Sequence, residues 1–439
     1  MTPQSSFMTL ASLRAGSIAP LRAMLATMNI LPGTANPNNH LVPFARFEGL
    51  HFARFVVLED KTLGDTAKVG IHRPAPSVYL AFLGDFDGDY DEFLDELVSK
   101  AEPGLRLIFA FCESFEPGVD LGRWMKDHEV RPAAYYCNWV GRTVKQCREE
   151  QALHDALVQF LPEYRATAGQ VPRPELKKIR DDLVAFVRRK QSEGRLPLTP
   201  PEPTPFLWAL RHASEVAALA VVVAGGLVTL PLTVVPLIVL ALRLRKLEKS
   251  DLVIAPRPDR AMGIALAALE DNGVTNQFSA MGSLKPGAFR SWLLRLVLWL
   301  VDMTARVIYT RGRLARVHTI HFARWVYVDG GTRMIFASNY DGSRESYMDD
   351  FINKVGFGLN AVFSNGIGYP STRWLLEDGA KNEQQFKYFL QRHELPTEVW
   401  YNAHAGLTAF DLARNSRIRD GIEAMNMTDD QIREWLALI

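Results

Sequence analysis

Two aspartates, each followed by a glycine, are the side chains best suited to move a proton. Asp87 lies in the stretch GDFDG at 84–88, and Asp341 lies in SNYDG at 338–342, three residues before Arg344. A carboxylate held near a reacting group can act as a general acid or base. Asp-Gly is also an ordinary turn and helix entry after a strand, so a purely structural role stays open.

Two arginines lie on predicted strands and could form ion pairs with the same aspartates. Arg54 and Arg324 each follow the residues His-Phe-Ala and precede an apolar run. A buried guanidinium needs carboxylate or carbonyl partners. Asp87 and Asp341 therefore have a second interpretation, as counter-ions of these arginines.

The histidines include three candidates for a site. His404 follows the last predicted strand and is aligned with Val140 of the first half, so it is unique to the second half. His51 and His321 occupy equivalent positions in the two halves, which favours a shared architectural role. An imidazole can move a proton or bind a metal, and a hydrogen-bonded structural histidine is the alternative.

An internal repeat must position these residues. HFAR occurs at 51–54 and again at 321–324, and FMTLASLRAG at 7–16 lies over FSAMGSLKPG at 278–287. The similarity continues through both Asp-Gly pairs, so the sequence predicts an internal duplication. We assign residues 1–154 to the first repeat, 155–275 to an insert and 276–439 to the second repeat.

Each repeat has the predicted order strand, helix, two strands, then further helices and strands. Apolar runs at 105–111 (LRLIFAF) and 359–364 (LNAVFS) are predicted as strands. The core order β-α-β-β-α-β resembles the ferredoxin-like fold, and two copies resemble the fused form of the dimeric α+β barrel superfamily. The predicted class is α+β, with the two bare sheet faces forming a pseudo-twofold barrel or a sheet-on-sheet core.

The insert contains a proline-rich hinge and a charge-free segment at 216–242. As a helix this segment is roughly 40 Å long, which exceeds the ~30 Å hydrocarbon core of a bilayer. Gly225-Gly226, Pro231 and Pro236 favour a re-entrant hairpin that lies in one leaflet, with both repeats on the cytoplasmic face. The basic residues after the segment mark that face: Arg243, Arg245, Lys246 and Lys249. A true span and a buried hairpin between domains are the alternatives.

GDFDG also matches the G-x-x-D-G signature of the dye-decolorizing peroxidases, and the chain resembles that family in having two ferredoxin-like halves. The resemblance implies haem as a cofactor and a proton-moving role for Asp87, assisted by an arginine. Through the repeat it extends to Asp341 with Arg344, and Arg324 joins this catalytic set. His404 and His321 are then the candidate haem ligands.

Composition and missing motifs narrow the function. A net charge of +1 gives no indication of a nucleic-acid partner, and no metal site or common nucleotide, hydrolase or zinc-protease motif is predicted. The first hypothesis is a membrane-associated, peroxidase-like oxidoreductase, haem-dependent, that acts on a lipid or peroxide in a cavity between the repeats. We expect that cavity to take its polar residues mainly from the second repeat. The alternative is a non-catalytic, membrane-anchored protein that binds lipid or a partner.

Overall fold

The computed structural model describes residues 1–72, 76–168 and 176–439, and its fold is mixed α+β. The first part of the chain contains β1 (Gln4–Ser12), α1 (Ile18–Ala26), β2 (Asn29–Leu31), β3 (Gly33–Ala35), β4 (Leu50–Leu58), α2 (Asp65–Lys68), β5 (Tyr79–Asp87), α3 (Tyr90–Phe109), α4 (Leu121–Asp127) and β6 (Ala134–Cys137). The middle contains α5 (Val144–Ala168), α6 (Leu176–Ser192), α7 (Phe206–Ser250) and α8 (Arg260–Glu270). Within the predicted first repeat and insert, residues 73–75 and 169–175 lie outside the described part.

The last part of the chain is likewise a mixture of strands and helices, with further helices at its end. It contains β7 (Thr275–Ser283), α9 (Ala288–Val307), β8 (Ile320–Val328), β9 (Arg333–Asp341), α10 (Arg344–Phe363), β10 (Thr372–Arg373), β11 (Glu377–Asp378), α11 (Glu383–His393), β12 (Thr397–Asn402), α12 (Ala409–Glu423) and α13 (Asp429–Leu436). The hairpin predicted between the two central strands of this part is present, since β8 pairs antiparallel with β9.

The two main sheets exchange their last strands. One sheet has the order β1-β5-β4-β12-β3-β2 and the other has the order β6-β8-β9-β7. Strand β12 pairs antiparallel with β4, with Trp400 opposite Arg54, and β6 pairs antiparallel with β8, with Tyr135 opposite Arg324. Each part of the chain therefore completes the sheet of the other.

Before each exchanged strand, the chain passes the edge of the sheet formed by its own part. The Val130 amide donates to the Met8 carbonyl on β1 at 2.8 Å, and the Leu395 amide donates to the Ser279 carbonyl on β7 at 2.8 Å. The chain then crosses to the opposite sheet. In the described residues the sheets stay separate and do not close into the barrel that we considered.

The two sheets pack face to face through a shared apolar core. Strand β4 is buried along its whole length, and its side chains alternate between two surroundings. Phe55 and Val57 pack among the helices, while Val56 and Leu58 meet Ile335 and other residues of the second sheet. Because neighbouring side chains of a strand point to opposite faces, a strand that is apolar at every position belongs between two layers.

The strands predicted at 105–111 and 359–364 were wrong. Residues up to Phe109 are the last turns of α3, and residues up to Phe363 are the last turns of α10. In α3, Leu105, Ile108 and Phe109 continue the buried stripe of Leu97 and Ala101 at helical spacing. A short apolar run does not by itself distinguish a strand from a buried helix end.

The apolar insert is one continuous helix, so the predicted re-entrant hairpin was wrong. Helix α7 runs through Pro231 and Pro236 without a break, and its central turns are exposed. It is the one helix among the described residues that is long and apolar enough to cross a membrane. Its exposed apolar surface is compatible with the predicted association with a membrane, but the prolines do not reverse the chain direction.

Candidate functional site

A buried polar cluster lies where both sheets end. His51 comes from β4 and Asp87 ends β5, while His321 and Asp341 occupy the matching positions of β8 and β9. His404 lies two residues after β12, the exchanged strand that pairs with β4. All three imidazoles are buried.

Asp87, His51 and His404 form a chain of hydrogen bonds. The Asp87 Oδ1 atom lies 2.9 Å from His51 Nε2, and His51 Nδ1 lies 2.9 Å from His404 Nε2. An ionised carboxylate only accepts, so a neutral His51 donates Nε2–H to Asp87 and accepts the His404 Nε2–H at its own Nδ1. In that arrangement His404 Nδ1 carries the lone pair that remains available.

The second aspartate forms a similar pair without a further histidine. His321 Nε2 lies 2.6 Å from Asp341 Oδ1, and the hydroxyl of Thr275 donates to the same oxygen at 3.1 Å. Asp341 Oδ2 accepts the Ala409 amide at the start of α12 at 2.8 Å. This carboxylate therefore both orients a histidine and caps a helix.

Asp87 caps a helix in the same way. Its Oδ2 accepts the amide of Val144, the first residue of α5, at 2.8 Å, and its Oδ1 accepts from the Gln4 amide group at 3.1 Å. The functional and structural interpretations of the two aspartates are thus not exclusive, because different oxygens serve the histidine and the helix. Neither aspartate is the partner of a strand arginine.

A small cavity of about 30 Å³ opens beside the histidines. Residues of both halves line it, and its polar and titratable side chains include those of His51, His321, His404, Arg142, Cys137 and Cys147. This differs from the expected cavity, which lay between the sheets and took its polar groups mainly from the second repeat. Between the sheets, around Arg54 and Arg324, the free volume is only about 10 Å³.

Burial keeps His404 and the two cysteine thiols of the cavity uncharged. Burial lowers the pKa of His404 well below its usual value, and the neighbouring His51 and His321 lower it further. Burial raises the pKa of the Cys147 thiol to about 12, and raises that of Cys137 as well. The thiols are therefore poor nucleophiles, and His404 is a neutral imidazole at pH 7.

Arg324 and Arg344 lie outside this cluster. Arg324 donates to the Phe7 carbonyl at 2.7 Å and to the Gly84 carbonyl at 2.9 Å, and it pairs with Asp85. Arg344 pairs with Glu394 at 3.1 Å. The structure therefore brings Asp87, Asp341, His321 and His404 together and leaves the two predicted catalytic arginines elsewhere.

Sequence reasoning missed Arg142 and the central place of His51. It also misaligned His404: the Ala403 amide donates to His51 and the Asn138 amide to His321, so the counterpart of His404 is Trp139 and not Val140. The HFAR repeat was the available signal for His51. Arg142 lies after the exchanged strand β6 and carries no local signal at all.

A haem does not fit the described residues in this conformation. A cavity of about 30 Å³ near His404 and His321 has room for about two or three waters, since one water needs ~10–15 Å³ of such volume. Among the described residues, no group of three or more His, Cys, Asp or Glu side chains is arranged to hold a metal ion. Comparison of the chain with protein-family models, curated proteins and solved structures found no match.

Proposed function

We propose that this protein is a membrane-surface protein that binds bilayer lipid through α7 and the outer face of α9. The apolar turns of α7 are exposed along a continuous run, which includes Leu227, Val228, Leu232 and Val235. An exposed apolar surface of this length is unfavourable in water and is typical of a surface that meets lipid or protein. Lipid is favoured because the 27 residues at 216–242 carry no charge.

The position of the two ends of α7 carries the proposal. Near its start, Glu215 pairs at 3.3 Å with Arg306, which lies in the last turn of α9. Near its end, the Arg243 guanidinium lies 5.0 Å from the ring centre of Phe289, in the first turn of α9. Both ends of α7 thus contact the same helix of the same folded body. A helix that crosses a bilayer would place its ends on opposite sides of a ~30 Å apolar layer.

The outer face of α9 extends the apolar surface. Trp292, Leu296 and Trp299 recur at helical spacing, and the two tryptophans are 51% and 41% exposed. Tryptophan is enriched at membrane interfaces, where its ring meets acyl chains and its N–H meets water. The exposed basic residues at the end of α7 support an orientation toward the cytoplasmic leaflet.

Liposome flotation tests the proposal. Replacing 216–242 by a Gly-Ser linker should release the protein from vesicles and leave its cooperative thermal unfolding intact, because the segment packs little against the rest. The helical circular dichroism should fall only by the share of the removed turns. A deleted protein that floats as well as the full chain would refute a lipid-binding role for α7.

A cross-linking test distinguishes the in-plane arrangement from a span. The double variants Glu215→Cys, Arg306→Cys and Arg243→Cys, Phe289→Cys should both be joined by a short bis-maleimide in vesicle-bound protein, because both ends of α7 contact α9. The pair Glu215→Cys, Phe289→Cys reports random collisions, because these positions lie at opposite ends of the α7–α9 contact. A span separates the ends of α7, so it predicts that at least one of the two contact pairs fails to cross-link in vesicles.

The duplication and the likeness to the fused dimeric α+β barrel superfamily belong to the same proposal. Phe7 faces Gly84 in the first sheet, and Phe278 faces Ser338 at the matching position of the second. These matched registers support descent of both parts from one ferredoxin-like unit. Within that unit the last strand has moved to the neighbouring sheet.

Peroxidase-like oxidation of a lipid or peroxide is the second candidate. The hydrogen-bonded chain from Asp87 through His51 to His404 favours it, because such a chain can move protons. The filled space between the sheets weighs against the haem-dependent form. Purified protein that gains a Soret band with haemin and then consumes peroxide would support it, and a His404→Gln variant with the same band and rate would remove the predicted ligand.

A further inference from the structure

Arg142 lines the cavity beside the histidines, and one of its guanidinium donors has no partner among the described residues. Its side chain is 6% exposed, and its Nη2 group has no hydrogen-bond partner among the described residues. The guanidinium lies 3.8 Å from the ring centre of Trp139, and its Nε atom is 3.8 Å from the carboxylate of Glu150. A buried N–H without an acceptor is rare in folded proteins and indicates a missing partner.

The carboxylate nearest to Arg142 neutralises it poorly. The Glu150–Arg142 separation exceeds hydrogen-bonding distance, and burial raises the pKa of Glu150 to about 7. Near neutral pH this carboxyl group is therefore partly protonated. The guanidinium retains positive charge that a small anion in the cavity could balance.

His404 offers the complementary group. It lines the same cavity, and among the described residues no protein atom hydrogen-bonds to its Nδ1. Burial and the neighbouring His51, His321, Arg148 and Arg142 all oppose a positive imidazole. The carboxylates of Asp87 and Asp341 lie one residue further away, behind His51 and His321, and the thiols of Cys137 and Cys147 share the cavity. A bound anion would offset that repulsion and allow His404 to take up a proton.

We propose that this cavity is a binding site for a small monovalent anion, or its weak conjugate acid, of two or three non-hydrogen atoms. Arg142 Nη2 donates to the anion and His404 Nδ1 holds the proton. The volume of about 30 Å³ matches an anion of this size. When the conjugate acid enters, its bond to hydrogen breaks, the proton forms an N–H bond on His404, and the electron pair stays with the anion beside Arg142. No oxidant or reductant takes part.

The site would give the Asp87–His51–His404 chain a use that is independent of lipid binding. Proton arrival at His404 strengthens its Nε2–H bond to His51, whose own Nε2–H is held by Asp87. Asp87 is thus a positioning residue, because His51 and His404 lie between it and the ligand. In the other half, Trp139 occupies the position that corresponds to His404 and has no imidazole. The described residues therefore contain one such site.

Azide binding to the full-length protein in detergent tests the proposal. Calorimetry in two buffers of different ionisation enthalpy should show saturable binding with uptake of about one proton per azide, because His404 changes from neutral to charged. The azide stretching band should shift on binding. Wild-type protein that binds no azide, or binds it without proton uptake, overturns the proposal without any variant.

Three variants identify the residues. Arg142→Gln should lower the affinity for azide at least tenfold. His404→Gln should abolish the proton uptake that accompanies azide binding. His128→Gln is the control, because His128 bonds to Ser114 and the Trp124 carbonyl, away from the cavity. Each variant is first checked for wild-type circular dichroism. A folded Arg142→Gln variant with unchanged azide affinity contradicts the proposed site.

Discussion

Arg324 on β8 and Asp85 on β5 form an ion pair between the two sheets, and each side chain is only 3% exposed. The hydroxyl of Tyr135 on the exchanged strand β6 donates to the same carboxylate at 3.2 Å. At the matching place in the other half, Arg54 meets Asn339, and Trp400 on β12 donates to that amide oxygen at 3.2 Å. Two arginines thus join both sheets and both exchanged strands.

Removing the carboxylate of this pair should destabilise the fold strongly. Asp85→Ala leaves the buried guanidinium of Arg324 with carbonyl partners alone, and we expect a loss of about 3–5 kcal/mol in the free energy of unfolding. Urea denaturation measures it. Asp127→Ala is the control, because Asp127 is exposed at the end of α4 and its loss should change the stability by less than about 0.5 kcal/mol. Equal effects would show that the cross-sheet pair contributes little.

Two helical glycines should respond in opposite directions to alanine. A Cβ at Gly104 in α3 would overlap the backbone of Leu41, whereas a Cβ at Gly122 in α4 would have its nearest neighbours 3.6 Å away. We expect Gly104→Ala to cost about 1–3 kcal/mol through overpacking. Gly122→Ala should stabilise by up to about 1 kcal/mol, since alanine favours the helix. Thermal unfolding of both variants checks the sign, and a stabilised Gly104→Ala would contradict the close approach.

A buried carboxyl pair should make stability fall as the pH rises. Burial raises the pKa of Glu270, and the neighbouring Glu394 raises it further. The folded state then keeps a proton that the unfolded state loses above pH ~4.3, so the contribution is full below that pH and is lost as the pH rises toward the folded pKa. One such proton corresponds to about 1.4 kcal/mol per pH unit.

The variant Glu270→Gln isolates this contribution. Glutamine keeps a neutral side chain that can still accept from the Thr397 amide and hydroxyl, as Glu270 does. The melting temperature of the variant should therefore fall less than that of the wild type between pH 5 and pH 8. Glu113→Gln, at an exposed position, should follow the wild-type curve. Parallel curves for Glu270→Gln and wild type would rule out the buried proton.

A single charge on α7 should weaken binding to vesicles without affecting the fold. Leu232 is 81% exposed, so Leu232→Lys removes no internal packing. If this face meets lipid, the vesicle partition coefficient should fall by about tenfold or more, because burying one leucine contributes about 1.5–3 kcal/mol. Leu107→Lys on α3 is the control, as it is also exposed but lies far along the chain from α7. Identical partitioning of the two variants would exclude α7 from the lipid contact.

Local patterns in the sequence determined most strands and the long apolar helix. The alternation in HFARFVVL and HFARWVYV predicted two strands buried on both faces, because strand periodicity depends only on neighbouring residues. The charge-free run at 216–242 predicted a membrane-associating apolar segment, because its composition is also a local property. Its prolines led to the incorrect prediction of a hairpin. A proline removes one backbone hydrogen bond and can kink a helix, but it does not by itself reverse the chain.

Only the tertiary structure decided which strands pair and which polar groups meet. Strand β12 was predicted as a strand, but its place beside β4 depends on surfaces more than 300 residues away in the chain. The contact of His51 with His404 follows directly from that exchange, and so does the cavity that Arg142 lines. Asp85 and Asp87 lie on the same face of β5, because side chains two residues apart share a face. Arg324 pairs with Asp85 because the facing sheet places it at the level of Phe7 and Gly84, whose carbonyls it also contacts. Pairing energies between distant segments leave no local pattern, and for that reason the sequence alone could name the candidate residues but not bring them together.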